Sequence, residues 1–333
     1  MRIKLRTLVV LFFLGVCGAF GFAWSGFFNV AASSGHFPIT AWFLHFVMQR
    51  SVEAQAGGME TPNLDDLALV RRGAGHFEQG CAVCHGSPAT YQGPVVREMT
   101  PAPPDLTGKI AEWEPHELFW IVRNGVKFSG MPAWPAQERD DEAWAVTAFL
   151  LRLPQMQGEE YQRLAFGPEA DPDLPISPSF SPGLPTCIRC HGTDGVGDVP
   201  DAFPRLDIQD EPYLHQTLLS FARGLRPSGI MQQAVAGLSE EELAALAAYY
   251  AENRPTEPPT LPAPLDAALI ERGREIAERG VAEEKVPACE SCHGETRRSE
   301  FPVLEGQSRP YLAAQLELFR SGVRGGGAFA HLM

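Results

Sequence analysis

The sequence predicts an all-α protein with three tandem domains behind one N-terminal transmembrane helix. Two observations lead to this prediction. The pattern Cys-x-x-Cys-His occurs three times at intervals of about one hundred residues, among helix-forming stretches bounded by glycine and proline. The N-terminal segment is a long apolar run. A chain of 333 residues accommodates three domains near the lower end of the usual size range.

The apolar run begins at Leu8 and continues to Phe28, interrupted only by Ser25 and Gly26. About 20 apolar residues are enough to cross a bilayer. The preceding basic residues are typical of a cytoplasmic N-terminus, and they are Arg2, Lys4 and Arg6. We therefore expect residues 1–28 to be an anchor in a bacterial inner membrane, with the rest of the chain in the periplasm.

Two alternatives to an uncleaved anchor stay open. A cleavable signal peptide needs a small-x-small exit, for which Gly21-Phe22-Ala23 is a poor candidate. A lipoprotein attached at Cys17 would need a small residue before it, where Val16 stands.

Residues 29–62 are predicted to be a juxtamembrane amphipathic segment. Apolar residues recur at a spacing of three to four between His36 and Ala54, which is typical of a helix. This helix either lies on the lipid surface with Trp42 at the interface, or packs on the first domain.

The repeated motif carries the chemistry. Two thiols one helical turn apart can each form a thioether bond to a haem vinyl group, and the following histidine then binds the iron. Zinc half-sites and redox disulfides also use Cys-x-x-Cys but require no histidine at the next position. We therefore expect three covalently bound haem c groups, each attached by a cysteine pair followed by its histidine ligand: Cys81, Cys84 and His85; Cys187, Cys190 and His191; Cys289, Cys292 and His293.

The motifs and two proline-rich stretches divide the chain after the juxtamembrane segment. The expected domains are residues 63–156, 181–253 and 265–333, joined by linkers at residues 157–180 and 254–264. Each domain is predicted to contain helices before or after its motif. The third domain stops at Met333 without the terminal helix expected in the other two.

Each iron also needs a sixth ligand or an open face, and methionine thioether favours reduced iron. Met131 lies in a Gly/Pro loop between two predicted helices, with Met99 as the alternative. Met231 holds the same place in the second domain. Met333 lies 40 residues after His293, the interval that separates Met231 from His191, and its rival is His331.

A Pro-x-Leu tripeptide follows each motif at Pro104, Pro204 and Pro302. A loop carbonyl there can accept the proton of the outer histidine nitrogen and so fix the ring. The leucine can cover the haem.

These features together resemble class I cytochromes c, and the second and third domains resemble the two halves of cytochrome c4. The matching stretches are Phe203-Pro-Arg-Leu206, Pro212-Tyr-Leu214, Gly229-Ile-Met231 and Leu238 to Tyr250, echoed in Phe301 to Gln307 and Pro310-Tyr-Leu312. The resemblance covers residues 63–333. It implies all-α cytochrome c domains, six haem-linking cysteines and axial ligation by the three histidines and by Met131, Met231 and Met333.

The resemblance also implies a weakness in the third domain. The family's last helix crosses its first, and without it an apolar face around Ile270, Gly273 and Ile276 is uncovered. We therefore expect the third haem to be the most labile.

A membrane-anchored electron carrier is the favoured function, with a dehydrogenase or quinol-oxidising complex as donor and a terminal oxidase or soluble cytochrome as acceptor. The first alternative is a multi-haem peroxidase or reductase that uses the labile third haem. A gas or redox sensor is the second. The formal net charge of −14 argues against a nucleic-acid partner.

Overall fold

The computed structural model describes residues 4–168, 183–252, 266–327 and 329–333. Within these ranges the chain is helical and contains no β-strand, which confirms the all-α prediction. The linker predicted at residues 254–264, and residues 169–180 of the first linker, lie outside the described residues, as does Arg2 of the basic flank.

Eleven helices of eight or more residues lie in the described part of the chain. They are α1 Leu5–Trp24, α2 Pro38–Ala56, α3 Leu67–Gly80, α4 Pro115–Asn124, α5 Asp140–Arg152, α6 Gly158–Phe166, α7 Leu184–His191, α8 Glu211–Ala222, α9 Glu240–Glu252, α10 Ala267–Arg279 and α11 Arg309–Arg320. We call residues 63–168 the first unit, 183–252 the second unit and 266–333 the third unit.

Helix α1 is long and apolar enough to cross a membrane, and none of its residues is buried by the rest of the protein. It ends at Trp24, earlier than the apolar run that continues to Phe28. The hydroxyl of Ser25 donates to the carbonyl of Phe22 at 2.6 Å, and Gly26 has a φ of +72°, so the chain turns there.

Helix α2 has features of both structures predicted for the juxtamembrane segment, a helix packed on the first domain and a helix with an exposed apolar surface. Its carboxyl-terminal end packs against α4, with Val52 and Ala56 buried. Its amino-terminal half exposes Ile39, Trp42 and Phe43. The carboxyl-terminal half of α2 therefore packs on the first unit.

The core of the first unit forms where α3 crosses α5. Phe77 of α3 lies 5.1 Å from Phe149 of α5, measured between ring centroids, and both are buried. Helix α6 adds the fully buried Tyr161, whose hydroxyl donates to the carboxylate of Glu78. Residues 158–166 were expected to be linker. They instead form a helix because Tyr161 and Ala165 recur at helical spacing and fill this core.

The second unit is built on α8 and α9, which bury Leu214, Ala247 and Tyr250 between them. Ser239 and Glu242 make the predicted capping box: the backbone N–H of Ser239 donates to Glu242 at 2.7 Å, and that of Glu242 donates to the Ser239 hydroxyl at 3.3 Å.

The third unit has much less core. No hydrophobic side chain of its described residues is buried, and only Gln307 and Gln315 reach that level of burial. Its helices α10 and α11 have strong apolar stripes in sequence, but Leu269 and Ile270 of α10 are 63% and 41% exposed. The spacing of apolar residues is therefore sufficient to form these helices, but the rest of the described chain does not bury their apolar side chains.

Candidate haem-attachment sites

Each of the three motifs lies on a helical turn. The backbone N–H of His85 donates to the carbonyl of Cys81 at 2.9 Å, and His293 makes the same bond to Cys289 at 2.9 Å. The second motif lies inside α7, which ends at His191. A helical turn places the two thiols on one side of the backbone, one turn apart. None of the six thiols is in a disulfide.

Each of the three motif histidines makes the same kind of hydrogen bond. The Nδ1 atoms of His85, His191 and His293 lie 3.0, 3.3 and 3.0 Å from the carbonyl oxygens of Pro104, Pro204 and Pro302, respectively. Since Nδ1 donates to a carbonyl, the other ring nitrogen is left as the acceptor that a metal requires. The sequence predicted this role for the Pro-x-Leu segments, and the geometry repeats in all three units.

Burial favours the uncharged forms of three motif side chains. It raises the pKa of Cys81 to about 12 and that of Cys187 to about 12, with the neighbouring cysteine adding to each effect. It also lowers the pKa of His191 to about 4. A neutral imidazole such as that of His191 can bind a metal through its second ring nitrogen.

Met131 lies in the loop between α4 and α5, as predicted. Its backbone N–H donates to the hydroxyl of Ser129 at 3.2 Å, and that hydroxyl donates to the carbonyl of Val126 at 2.7 Å. The methyl group of Met99 packs directly on Gly130, so the alternative ligand lies beside the same loop. That Met131 binds iron stays a prediction.

Met231 opens a short helical turn, Met231–Ala234, in front of α9. It is partly buried and packs with Leu218 and Leu238 on a core cluster of the second unit. Met333 follows a 3-10 turn, Ala330–Leu332, and is 50% exposed. The ligand roles of both also stay predictions.

The first and second motifs are connected through α3. A Cβ atom on Gly75 would lie 3.0 Å from the sulfur of Cys190, so only glycine allows this approach without displacement. Six residues later the same helix reaches Cys81. The buried Arg71 completes the contact, since it donates to the carbonyl of Arg189 at 2.7 Å and pairs with Asp198 at 3.0 Å.

The second and third units meet through two reciprocal glutamines. The amide of Gln209 donates to the carbonyl of Val303 and accepts from its N–H, both at 2.9 Å. Gln307 donates to the carbonyl of Arg205 at 3.0 Å and accepts from its N–H at 2.9 Å. Arg205 and Val303 are the middle residues of two Pro-x-Leu segments, so the loops that hold His191 and His293 are joined back to back.

The sequence prediction missed these contacts between units. One signal for the glutamines was present, because both stand three residues after the leucine of Pro-x-Leu, where the first unit has Lys109. No local pattern marks Gly75 or its partner Cys190 as neighbours.

The sequence of this chain is similar to known protein families and to individual proteins. The sequence profile of the family described as "Cytochrome C oxidase, cbb3-type, subunit III" matches residues 68–150 and 185–249, which contain the first two motifs. The thiosulfate dehydrogenase electron acceptor of Thiomonas intermedia (strain K12) is 38% identical over 148 residues, covering 44% of this chain and 67% of that protein. Cytochrome c4 of Pseudomonas aeruginosa is 34% identical over 142 residues, covering 41% of this chain and 68% of that protein.

Two solved structures align with part of this chain. The cytochrome c4 structure from Acidithiobacillus ferrooxidans aligns with a TM-score of 0.38 and 30% identity over 44% of this chain and 86% of that one. A thiosulfate dehydrogenase from Marichromatium purpuratum aligns with a TM-score of 0.38 and 35% identity over 44% of this chain and 31% of that one.

Proposed function

Since the chain belongs to the cytochrome c family, we propose that it is a membrane-anchored, periplasmic electron carrier with three haems c. The observation that carries this proposal is the repetition of one arrangement: in each unit a histidine after two free cysteines has its Nδ1 held by a proline carbonyl. The N-terminal α1 serves as the anchor.

The residues of this chain divide the work simply. The cysteine pairs would attach the porphyrin and the histidines would bind its iron, while the proline carbonyls hold each imidazole. Met131, Met231 and Met333 would supply the remaining ligands. Haem iron supplies the reversible one-electron change, and thioether ligands raise its potential. Histidine and methionine ligands held by the protein would let the iron change charge with little movement of the chain.

The tandem order suits a relay. The second unit touches the first through Gly75 and Cys190, and touches the third through Gln209 and Gln307. With a haem in each unit, the second haem would be the intermediate carrier between the other two.

A redox protein is the proposed partner at each end of the relay. The relative from Thiomonas intermedia is named as an electron acceptor of thiosulfate dehydrogenase, which favours a dehydrogenase as donor. The formal net charge of −14 suits docking to a basic face of such a partner. A quinol-oxidising complex remains the other proposed donor, with a terminal oxidase or soluble cytochrome as acceptor.

One observation favours a second candidate, a multi-haem enzyme that uses the third haem. Met333 is half exposed, so its thioether is the easiest of the three ligands to displace. A displaceable ligand is what peroxidase or reductase chemistry at haem requires.

The test is a set of double cysteine variants of the full chain, expressed with the haem-attachment apparatus. Replacing each motif pair by alanine, for example Cys81 with Cys84, is expected to remove one covalent haem of three. The matched control is Cys17→Ala, which lies outside the motifs and leaves all three haems in place. Retention of three haems in any double variant would contradict the proposal, and ferric high-spin haem at two sites would favour the enzyme.

A further inference from the structure

The segment that precedes Met231 is bound by the first unit as well as by its own unit, in which the backbone N–H of Ser228 donates to the amide oxygen of Gln232 at 3.0 Å. Glu142 of α5 accepts from the hydroxyl of Ser228 at 2.6 Å and from the backbone N–H of Gly229 at 2.7 Å. Arg139, which precedes α5, donates to the carbonyl of Pro227 at 3.0 Å. The pair Arg139 and Glu142 therefore binds three consecutive residues of the second unit.

Both side-chain oxygens of Glu142 accept hydrogen bonds. Besides Ser228 and Gly229, it accepts from the indole N–H of Trp134 at 3.0 Å and pairs with Arg139 at 3.0 Å. Three of the four partners, namely Gly229, Trp134 and Arg139, can only donate. The side chain is only 4% exposed, and charge-assisted bonds in such a site are stronger than in water.

Apolar packing reinforces the same contact. Ile230, the residue directly before Met231, is buried in the core cluster of the first unit. A Cβ atom on Gly229 would lie 2.5 Å from the indole nitrogen of Trp134, so this position favours glycine, whose backbone lies directly against the indole ring. Residues 228–230 are thus inserted into the first unit.

The contact reaches Met231 through one serine. The backbone N–H of Met231 donates to the Ser228 hydroxyl at 3.1 Å, and this hydroxyl donates in turn to Glu142. In the first unit the corresponding hydroxyl, that of Ser129, donates to Val126 of its own loop. The two methionines therefore have similar local bonds, but only Met231 depends on another unit.

We propose that Glu142 is a positioning residue for the second haem: through Ser228 and Gly229, the first unit sets the strength of the bond between Met231 and iron. This inference rests on the proposed function, because it takes Met231 as an axial ligand. It adds that the properties of the second haem are determined by a neighbouring unit.

Glu142→Gln is the sharpest variant because it keeps the shape of the side chain. A glutamine amide has one oxygen and one NH₂ group, so in either orientation the NH₂ group faces at least one group that can only donate: Arg139 in one orientation, Trp134 and Gly229 in the other. The loss of charge-assisted bonds is expected to lower the imidazole concentration that displaces Met231 by about tenfold. The same haem should lose the far-red absorption given by a thioether ligand on ferric haem, and its reduction potential should fall.

The experiment uses the full holoprotein with imidazole as the probe. Met231→Ala first identifies the spectrum and potential of the second haem. Glu142→Gln and Ser228→Ala are then compared with Asp140→Asn, which removes the same charge from the same helix but pairs with Arg123 of the first unit at 2.5 Å. Ser129→Ala should affect the first haem instead.

Three outcomes are distinguishable. A shift in the haem identified by Met231→Ala, seen with Glu142→Gln and Ser228→Ala but not with Asp140→Asn, supports the proposal. An unchanged second haem in both variants overturns it while leaving the proposed function intact. If Met231→Ala itself alters no haem, the ligand assignment and this inference both fail. Should Glu142→Gln not accumulate with three haems, Ser228→Ala reports on the same contact.

Discussion

Helices α3 and α10 lead toward the first and third motifs with the same Arg-Gly pair, yet they meet different surroundings. A Cβ atom on Gly73 would overlap the backbone carbonyl of Ala145 in α5, because the two helices cross there in direct contact. A Cβ atom on Gly273 meets no described residue within 4 Å. The same local sequence is therefore part of a core in one unit and exposed in the other.

This difference shows what stabilises each unit. The first has a polypeptide core of its own, with Phe77, Phe149 and Tyr161 buried. The third has no buried hydrophobic side chain among its described residues, and it is joined to the second unit by Gln209 and Gln307. We expect the third unit to depend on its haem and on this contact, as small domains with thin cores do.

The largest expected difference between the units is the access of a small ligand to the haem iron. Carbon monoxide is expected to bind the third haem of the reduced protein, because Met333 is half exposed, and to leave the other two unchanged. Optical titration of the reduced holoprotein measures this directly. Absence of binding to any haem, or binding at the first haem, would remove the contrast between the units.

The next largest expected difference is in stability, when Gly73 or Gly273 is replaced by alanine. Gly73→Ala should destabilise the first unit by at least about 3 kcal/mol, because the added methyl overlaps backbone that cannot move freely. Gly273→Ala, its matched control, should be neutral or stabilising by up to about 1 kcal/mol, since alanine favours an exposed helix. The measurement is denaturant unfolding of both variants.

Equal destabilisation by the two substitutions would mean that α10 is also packed against a helix. That result would contradict the comparison between the first and third units.

Acid should destabilise the first unit more than the third. His76 is buried near Trp134, and burial lowers its pKa from 6.5 to about 3. The folded state therefore keeps a neutral ring that the unfolded chain protonates, so this stabilisation is present above about pH 6.5 and is lost as the pH falls toward 3. The loss is about 2 kcal/mol by pH 5.

His76→Gln, which cannot titrate, should remove this part of the pH dependence. The third unit has Ile276 at the matching helix position and should show no such slope. The pH dependence of the unfolding transition identified by Gly73→Ala is the measurement. An unchanged slope in His76→Gln would assign the acid sensitivity to other groups.

The glutamine contact should have the smallest effect. Gln209→Ala removes two hydrogen bonds to Val303 and is expected to destabilise the third unit by about 1–2 kcal/mol. Hydrogen exchange of the α10 and α11 amides should accelerate by the corresponding factor. Gln216→Ala, on the exposed side of α8, is the control, and equal exchange in both variants would show that the hydrogen bonds of Gln209 do not stabilise the third unit.

Much of the fold was predictable because it is local. The helices α3, α5, α9 and α10 follow from apolar spacing and from caps such as Ser239 with Glu242. The hydrogen bonds from His85, His191 and His293 to the prolines were predicted because they lie within one loop, nine to nineteen residues away.

The contacts between units were not predictable in the same way. Glu142 meets Ser228 across 86 positions of sequence, and nothing near either residue indicates the other. Helix α6 was assigned to a linker because its proline-rich continuation dominated the composition, although Tyr161 at helical spacing was visible. Tertiary contacts, rather than local propensity, determine the secondary structure of such segments.

The mass of the mature holoprotein tests the account most directly. Three thioether-linked haems predict a polypeptide heavier by three porphyrin groups, and the increment should fall by one group in each double cysteine variant. A mature chain that carries fewer than three covalent porphyrins would contradict the proposal that all three motifs attach haem.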